Sequence, residues 1–100
     1  MYRAVRNIPA GRVATYADVA RACGWPQAWR AVGNILNQNR DPKTPCHRVV
    51  RSDSTVGGFG FPGGRKEKIR WLVREGVAIK DGRVDLTRFQ AESGSLRSMV

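Results

Sequence analysis

Histidine, cysteine and acidic residues are scarce in this chain of 100 residues, which holds one His, two Cys and eight Asp or Glu. Two cysteines make no disulfide framework, so we expect a reduced, intracellular protein with both thiols free. Together with a single histidine they also cannot complete an ordinary four-ligand zinc site unless carboxylates help. We therefore expect no metal and no other cofactor.

Long apolar runs are missing as well. No run approaches the roughly 20 residues that a membrane span needs, and the first residues lead into no apolar signal segment. We therefore expect a soluble protein without a membrane partner.

Positive charge is what the chain has in excess. It carries 18 Lys or Arg against eight acids, for a formal net charge of +10 and a pI near 11.1. Such a balance indicates a polyanionic partner, most simply nucleic acid. The alternative is a generally basic surface that has no such partner.

The length fits a single domain. We place this domain at residues 1–90, because the hydrophobic patterning ends there. Residues 91–100 are rich in serine and weakly patterned, so we expect a disordered tail.

Hydrophobic spacing and turn residues predict a mainly α-helical fold with short β elements. The predicted helices cover residues 1–8, 16–22, 27–38 and 65–75, with an extended link over 12–15. A short strand is expected at 48–50, and Asp81-Gly82 predicts a β-hairpin within 77–86.

The second and third predicted helices are joined by a tight turn around Gly24 and Pro26. Two short helices joined in this way are typical of a helix-turn-helix, although an ordinary helical hairpin would show the same pattern. With the basic charge, this favours a winged-helix-like DNA-binding domain that contains a helix-turn-helix and ends in the β-hairpin.

The stretch from Pro45 to Val49 combines the only histidine with one of the two cysteines. A thiolate is a strong nucleophile, and imidazole is the group best able to deprotonate a thiol near neutral pH. We therefore predict that Cys46 is a nucleophile and His47 its base. The alternatives are a small buried thiol and a histidine that only makes core hydrogen bonds. Cys23 has no such neighbour and is expected in the core.

Several segments of the chain match one family in the same order. They are Ile8-Pro9-x-Gly11-x-Val13-x-Thr15-Tyr16, Arg30-Ala31-Val32-Gly33-Asn34, Asn39, Pro45-Cys46-His47-Arg48-Val49, Gly57-Gly58-Phe59 and Lys68-x-x-Trp71-Leu72-x-x-Glu75-Gly76. Together they resemble the C-terminal, active-site domain of the methylated-DNA–protein-cysteine methyltransferases, also called alkylguanine-DNA alkyltransferases.

This resemblance implies DNA repair. Members of the family move an alkyl group, such as methyl, from the O6 position of guanine onto their active cysteine. The transfer is irreversible, so each molecule acts once. They flip the damaged base out of the duplex, and their helix-turn-helix lies in the minor groove. We accordingly expect a monomer that binds double-stranded DNA containing alkylated guanine, in the cytoplasm at the nucleoid or in a eukaryotic nucleus.

The resemblance also implies the catalytic residues. Cys46 would accept the alkyl group, and His47 would activate it through a water molecule. Glu75 would orient His47, and Asn39 would brace the turn that carries the cysteine. Tyr16 would contact the flipped nucleotide and help to protonate the leaving guanine. From the residues alone, Tyr16 is explained equally well as a core aromatic side chain. Glu75 is likewise explained as a solvated acid.

Further positions match parts of the family that touch DNA or the damaged base. Arg30 would fill the space that the flipped base leaves, although the residue alone could be any surface arginine. Those that would approach the DNA backbone are Ala17, Trp25 and Ser52. Those that would form the walls of the alkylguanine pocket are Leu36, Val49, Gly58, Phe59 and Gly60.

The pocket loop departs from the family pattern, because Phe59 stands where tyrosine is common and additional residues lie around 61–64. Two rival functions remain. Alkyltransferase-like proteins bind alkylated guanine without repairing it and recruit excision repair, but they replace the cysteine, typically with tryptophan. A helix-turn-helix regulator would explain the charge and leave the Cys46-His47 pair without a purpose. Cys46 therefore favours the enzyme.

Overall fold

The computed structural model describes residues 2–41 and 43–92. The helices are α1 (Tyr2–Arg6), α2 (Tyr16–Ala22), α3 (Trp29–Asn37), α4 (Gly64–Arg74) and α5 (Leu86–Phe89), with a 3₁₀ turn at Cys46–Arg48. The strands are β1 (Ala14–Thr15), β2 (Val49–Val50), β3 (Ile79–Lys80) and β4 (Arg83–Val84). This confirms the predicted mainly helical fold with short β elements. No helix in the described part of the chain is long and apolar enough to cross a membrane.

Helix α2 begins at Tyr16, as predicted, directly after the capping residue Thr15. The Thr15 hydroxyl accepts a hydrogen bond from the Asp18 amide at 3.0 Å, and the Asp18 carboxylate accepts one from the Thr15 amide at 3.0 Å. This reciprocal pair is a capping box, which satisfies two amides that the first helical turn leaves free. Gly24 ends the helix at a φ of +82°, a backbone conformation that suits glycine. The start of α2 is therefore fixed by local chemistry.

Helix α3 begins two residues later than predicted, at Trp29 instead of residue 27. The Ala28 amide donates to the Trp25 carbonyl at 2.9 Å and so closes a turn before the helix starts. Val32 and Leu36 are buried one helical turn apart and pack α3 against α2. The two helices form the expected helix-turn-helix pair.

Strands β1 and β2 are parallel, with Ala14 paired to Val49 and Thr15 to Val50. Successive side chains of a strand point to opposite faces, so this pair lies between two cores. Ala14 and Val49 belong to the first core, which α1, α2 and α3 complete. The second core contains Val13, Val50, Val56, Leu72, Val77, Val84 and Phe89. The pairing places the start of α2 beside the segment that follows Cys46.

The C-terminal hairpin forms around Asp81 and Gly82, whose φ values of +54° and +73° fit the expected two-residue turn. Strands β3 and β4 have two residues each, so the ladder is shorter than the predicted 77–86 segment. The Val84 amide donates to the Ser54 carbonyl at 2.9 Å and ties the hairpin to the rest of the domain.

Several predicted boundaries were wrong. Helix α1 ends at Arg6 instead of residue 8, and Arg48 lies in the 3₁₀ turn, so β2 begins at Val49. Helix α4 covers 64–74 instead of 65–75. Helix α5 was not predicted.

The chain after α5 still packs against β1. The Ala91 amide donates to the Val13 carbonyl at 2.7 Å, and the Val13 amide donates to the Phe89 carbonyl at 2.8 Å. Ala91, the first residue of the predicted tail, is buried. Residues 93–100 lie outside the described residues, and the division into a 1–90 domain and a tail stays a prediction.

Candidate active site

Cys46 begins the 3₁₀ turn and is 5% exposed. The buried amide of Asn39 braces this turn: its Nδ2 donates to the Asp41 carbonyl at 3.0 Å and to the Thr44 carbonyl at 3.4 Å. The same nitrogen lies 3.4 Å from the Cys46 sulfur. A donor this close to the sulfur is placed to stabilise negative charge that forms there during a reaction. The geometry therefore matches the predicted bracing position of Asn39.

His47 is buried next to Cys46, and its Nε2 lies 3.1 Å from Oε1 of Glu75. The contact is not aligned well enough to count as a hydrogen bond, so it is a close approach of the imidazole to the carboxylate. Burial lowers the pKa of His47, and the Glu75 carboxylate opposes this shift only in part. A neutral imidazole results at pH 7, which is the form that can accept a proton.

Arg48 holds Glu75 from the other side. Its Nε donates to Oε1 at 2.9 Å and its Nη2 to Oε2 at 2.6 Å, while Nη1 donates to the Ile8 carbonyl at 2.8 Å. Burial acts to raise the pKa of Glu75, but the hydrogen bonds from Arg48 and the close approach of His47 outweigh it, and the pKa of Glu75 is lowered. The carboxylate is therefore ionised and fixed in place by a two-point contact.

Aromatic rings cover His47. Trp71 meets the imidazole edge-on with ring centroids 5.3 Å apart. Phe59 and Phe61 pack on Trp71 at 5.1 Å and 5.4 Å and on each other at 4.9 Å. The Nδ1 of His47 is buried and has no hydrogen-bond partner among the described residues. Such an atom can bind one water molecule.

Lys68 is the buried charge that sequence reasoning missed, with an exposure of 0%. Its Nζ donates to the Val49 carbonyl at 2.6 Å and the Gly58 carbonyl at 3.0 Å. It also lies 3.4 Å from the Tyr16 hydroxyl. Burial lowers its pKa to about 7, although the Cys46 sulfur acts in the opposite direction. Lys68 precedes the buried Leu72 by four residues, so both lie on the same face of α4. This spacing was the signal in the sequence for the burial of Lys68.

Tyr16 is the first residue of α2 and is half-buried. Burial raises the pKa of its hydroxyl, which therefore stays protonated and able to donate. A Cβ added to Gly57 would lie 3.2 Å from this hydroxyl, so a glycine leaves room for the ring. Tyr16, Lys68 and Cys46 thus meet where β1, β2 and α4 come together.

A surface depression of about 540 Å³ opens beside Tyr16. The residues around it are Tyr16, Ala17, Trp29, Arg30, Gly33, Asn34, Asn37, Arg51, Ser52, Asp53 and Gly58. We call it the α3 depression. It brings together five of the residues proposed from sequence: Tyr16, Ala17, Arg30, Ser52 and Gly58. Sequence reasoning assigned no role to Trp29, Asn37 or Arg51.

Other proposed residues lie elsewhere. Leu36 and Val49 are buried in the first core, although the Val49 carbonyl binds Lys68. Trp25 lies outside the α3 depression and is 72% exposed in the turn before α3. Phe59 joins the aromatic rings over His47. At Gly60 a Cβ would lie 1.9 Å from the Asn37 carbonyl oxygen, so only glycine fits there.

Known proteins resemble this chain at the level of a family. The family profile described as "6-O-methylguanine DNA methyltransferase, DNA binding domain" matches residues 1–77. A bifunctional methyltransferase/endonuclease of Thermoplasma volcanium is 45% identical over 85 residues, covering 84% of this chain and 26% of that protein. A DNA base-flipping protein of Escherichia coli K12 is 37% identical over 92 residues, covering 90% of this chain and 70% of that protein.

A solved structure is similar throughout. The crystal structure of S. pombe Atl1 with damaged DNA containing O6-carboxymethylguanine is 30% identical, with a TM-score of 0.82. The similarity covers 91% of this chain and 90% of the Atl1 chain. By contrast, the chain spans only 26%, 30% and 42% of the length of three of the curated relatives it matches.

Proposed function

This chain belongs to the 6-O-methylguanine DNA methyltransferase family, and we propose that it repairs DNA by moving an alkyl group from O6 of guanine to Cys46. The domain matched by the family profile includes Cys46, so the proposal puts DNA binding and the active site in one domain. Its substrate is double-stranded DNA with an alkylated guanine. We also propose that it acts as a monomer, in the cytoplasm at the nucleoid or in a eukaryotic nucleus.

The first step is loss of the Cys46 proton. A free thiol has a pKa of about 8.5, so only a few per cent is thiolate at pH 7. His47 accepts the proton through a water held at Nδ1, and the Glu75 carboxylate 3.1 Å away stabilises the imidazolium that forms. The Asn39 amide 3.4 Å from the sulfur stabilises the thiolate.

The second step is the transfer itself. The thiolate attacks the saturated carbon bound to O6, a carbon–sulfur bond forms, and the carbon–oxygen bond breaks. The electron pair of that bond stays on guanine, which must gain a proton. The Tyr16 hydroxyl donates this proton, and Lys68, 3.4 Å from it, supplies positive charge beside it. The thioether that remains is stable, so each molecule reacts once.

Access to the base requires flipping, because Cys46 is only 5% exposed and cannot reach the carbon bound to O6 while the guanine is stacked in the duplex. Extruding a base costs roughly a few kcal/mol of unstacking, least for a poorly paired one. Arg30 at the rim of the α3 depression would occupy the vacated space. Phosphate contacts from the basic surface would offset the rest of the cost.

The observation that carries this proposal is the assembled group around Cys46. A buried thiol faces an amide donor, and its neighbouring imidazole faces a fixed carboxylate. A buried Cys with only a packing role would need neither. The Tyr16–Lys68 pair on the other side supplies the proton donor that the leaving group requires.

Mass mapping of peptides tests the proposal. The protein is incubated with a duplex that contains O6-methylguanine, and we expect one methyl group per molecule, on Cys46. Cys46→Ala should abolish it. Cys23→Ser is the matched control, since it removes the other thiol and should leave the transfer intact. An unmodified Cys46 in wild-type protein that binds the lesion would refute the transfer.

A second function, lesion binding without transfer, has its own support. The relatives include a DNA base-flipping protein, and the similar solved structure holds damaged DNA. Tight and selective binding of the methylated duplex with an unmodified Cys46 would favour it. Equal affinity for methylated and plain duplexes would instead favour a DNA-binding regulator.

A further inference from the structure

Trp29 is a large apolar side chain that the proposed chemistry does not use. It is the first residue of α3 and remains 47% exposed. It lines the α3 depression together with Tyr16 and Arg30. Trp25, the more exposed indole, lies outside this depression. An exposed indole in the lining of a depression of about 540 Å³ needs a physical reason.

The ring of Trp29 is in contact with Arg30. The Arg30 guanidinium carbon lies 5.1 Å from the centre of the indole. Neighbouring residues on a helix point about 100° apart and do not normally face each other. Arg30 must therefore fold back along the helix to lie over the ring, where the π face attracts its charge. In this arrangement the Arg30 guanidinium is held at the indole face, and it must leave the ring before it can enter a duplex.

A nucleobase can take the place of the guanidinium. Both are planar, and both stack on the face of an indole. If Arg30 extends into the DNA to fill the space left by a flipped base, the Trp29 face becomes free at the same moment. It then lies at the entrance of the α3 depression, next to bases that have just lost a stacking partner.

We infer that Trp29 is a stacking platform for a nucleobase, and that DNA binding exchanges Arg30 for that base on its ring. The inference rests on the proposed function, because it needs a flipped base. It adds Trp29 to Arg30 as a residue that binds DNA. Arg30 leaves the indole first, and the base then stacks on Trp29. The base comes either from the opposite strand, unpaired by the flip, or from a neighbour of the lesion in the same strand.

Affinity measurements with two substitutions test the platform. Trp29→Ala should weaken binding to an O6-methylguanine duplex by about five- to a hundred-fold, the usual worth of one stacked base. Trp29→Phe keeps an aromatic face and should recover most of that loss. The slope of log affinity against log salt should stay unchanged, because no phosphate contact is removed. A loss that Phe does not recover, or equal affinity for all three proteins, would overturn the inference.

The fluorescent base 2-aminopurine identifies the stacked base. It is placed opposite the lesion, on the 5′ side or on the 3′ side, in three separate duplexes. Stacking on Trp29 quenches its emission, so the Trp29→Ala complex should emit more than the wild-type complex at one of these positions. The position at which the two complexes differ in emission identifies the base that stacks on Trp29. Equal emission at all three positions in both complexes would refute stacking.

The two proposals fail separately. If wild-type protein binds the lesion but leaves Cys46 unmodified, the transfer proposal fails, while the emission difference can still support the platform. If Cys46 is methylated but Trp29→Ala binds and emits like wild type, only the platform fails. Thermal unfolding of Trp29→Ala provides the folding control, and an unchanged midpoint is expected because the ring is half-exposed.

Discussion

The surroundings of Cys46 and the α3 depression differ in how complete they are without DNA. Around Cys46 most polar side chains are wholly or partly buried and already held by protein contacts, with Glu75 bound by Arg48 and approached by His47 at 3.1 Å. Around the depression the side chains are exposed, and Arg30 rests on Trp29. The reacting groups are thus preorganised, which removes the cost of ordering them during reaction. The recognition groups still have to move, so DNA binding and chemistry should respond to different substitutions.

The strongest test of this separation is His47→Gln. Loss of the base should slow alkyl transfer by roughly 100- to 10,000-fold, the usual contribution of general acid–base catalysis. Affinity for the lesion duplex should change little, because His47 lies under the aromatic rings and outside the α3 depression. Single-turnover transfer at saturating protein and equilibrium binding measure the two effects.

The control for this substitution is Arg74→Gln, which removes an exposed side chain beside the same histidine. It should leave the rate of transfer within a few-fold of wild type. If His47→Gln weakened lesion binding as much as it slowed transfer, the proposed division between the two regions would be wrong.

Local signals predicted the parts of the fold that depend on neighbouring residues. The capping box of Thr15 and Asp18 fixes the predicted start of α2, and Asp81-Gly82 marked the hairpin turn. Each works through contacts within three or four positions, so a sequence alone contains them. The start of α3 was missed because a turn from Trp25 to Ala28 preceded it without a side-chain cap.

The candidate site depends on contacts that no local pattern contains. Glu75 lies far along the chain from His47, and only the family resemblance brought them together before the fold was known. The burial of Lys68 ran against the strong preference of lysine for water. Its acceptors, the Val49 and Gly58 carbonyls, come from a strand and a loop that meet only in the folded protein. Residue type predicted the chemistry, and tertiary packing decided which groups meet.

Lys68→Met gives the next largest effect, on stability and its dependence on pH. The folded protein holds the pKa of Lys68 at about 7, whereas an exposed lysine has 10.5. Between these values the unfolded chain binds more protons, so the free energy of unfolding rises with pH. From pH 7 to 9 we expect a gain of roughly 2 kcal/mol in wild type, or about 8–16 °C in the unfolding midpoint.

In Lys68→Met this gain should disappear, because the substitution removes the titrating group. Lys66→Met is the matched control on the exposed side of α4 and should keep the wild-type rise. Denaturant unfolding at pH 7, 8 and 9 measures all three proteins. An equal rise in Lys68→Met would mean that another group carries the pH dependence.

The smallest effect is expected at Trp25, which sharpens the distinction between general DNA binding and recognition of the lesion. Trp25 is 72% exposed, so Trp25→Ala should change the free energy of unfolding by no more than about 0.5 kcal/mol. If Trp25 only approaches the DNA backbone, affinity should fall by a few-fold, and equally for plain and methylated duplexes. Trp29→Ala should instead lower the affinity for the methylated duplex more than the affinity for the plain duplex. Titration of both variants against both duplexes measures the difference, and a lesion-selective loss at Trp25 would extend the recognition surface beyond the α3 depression.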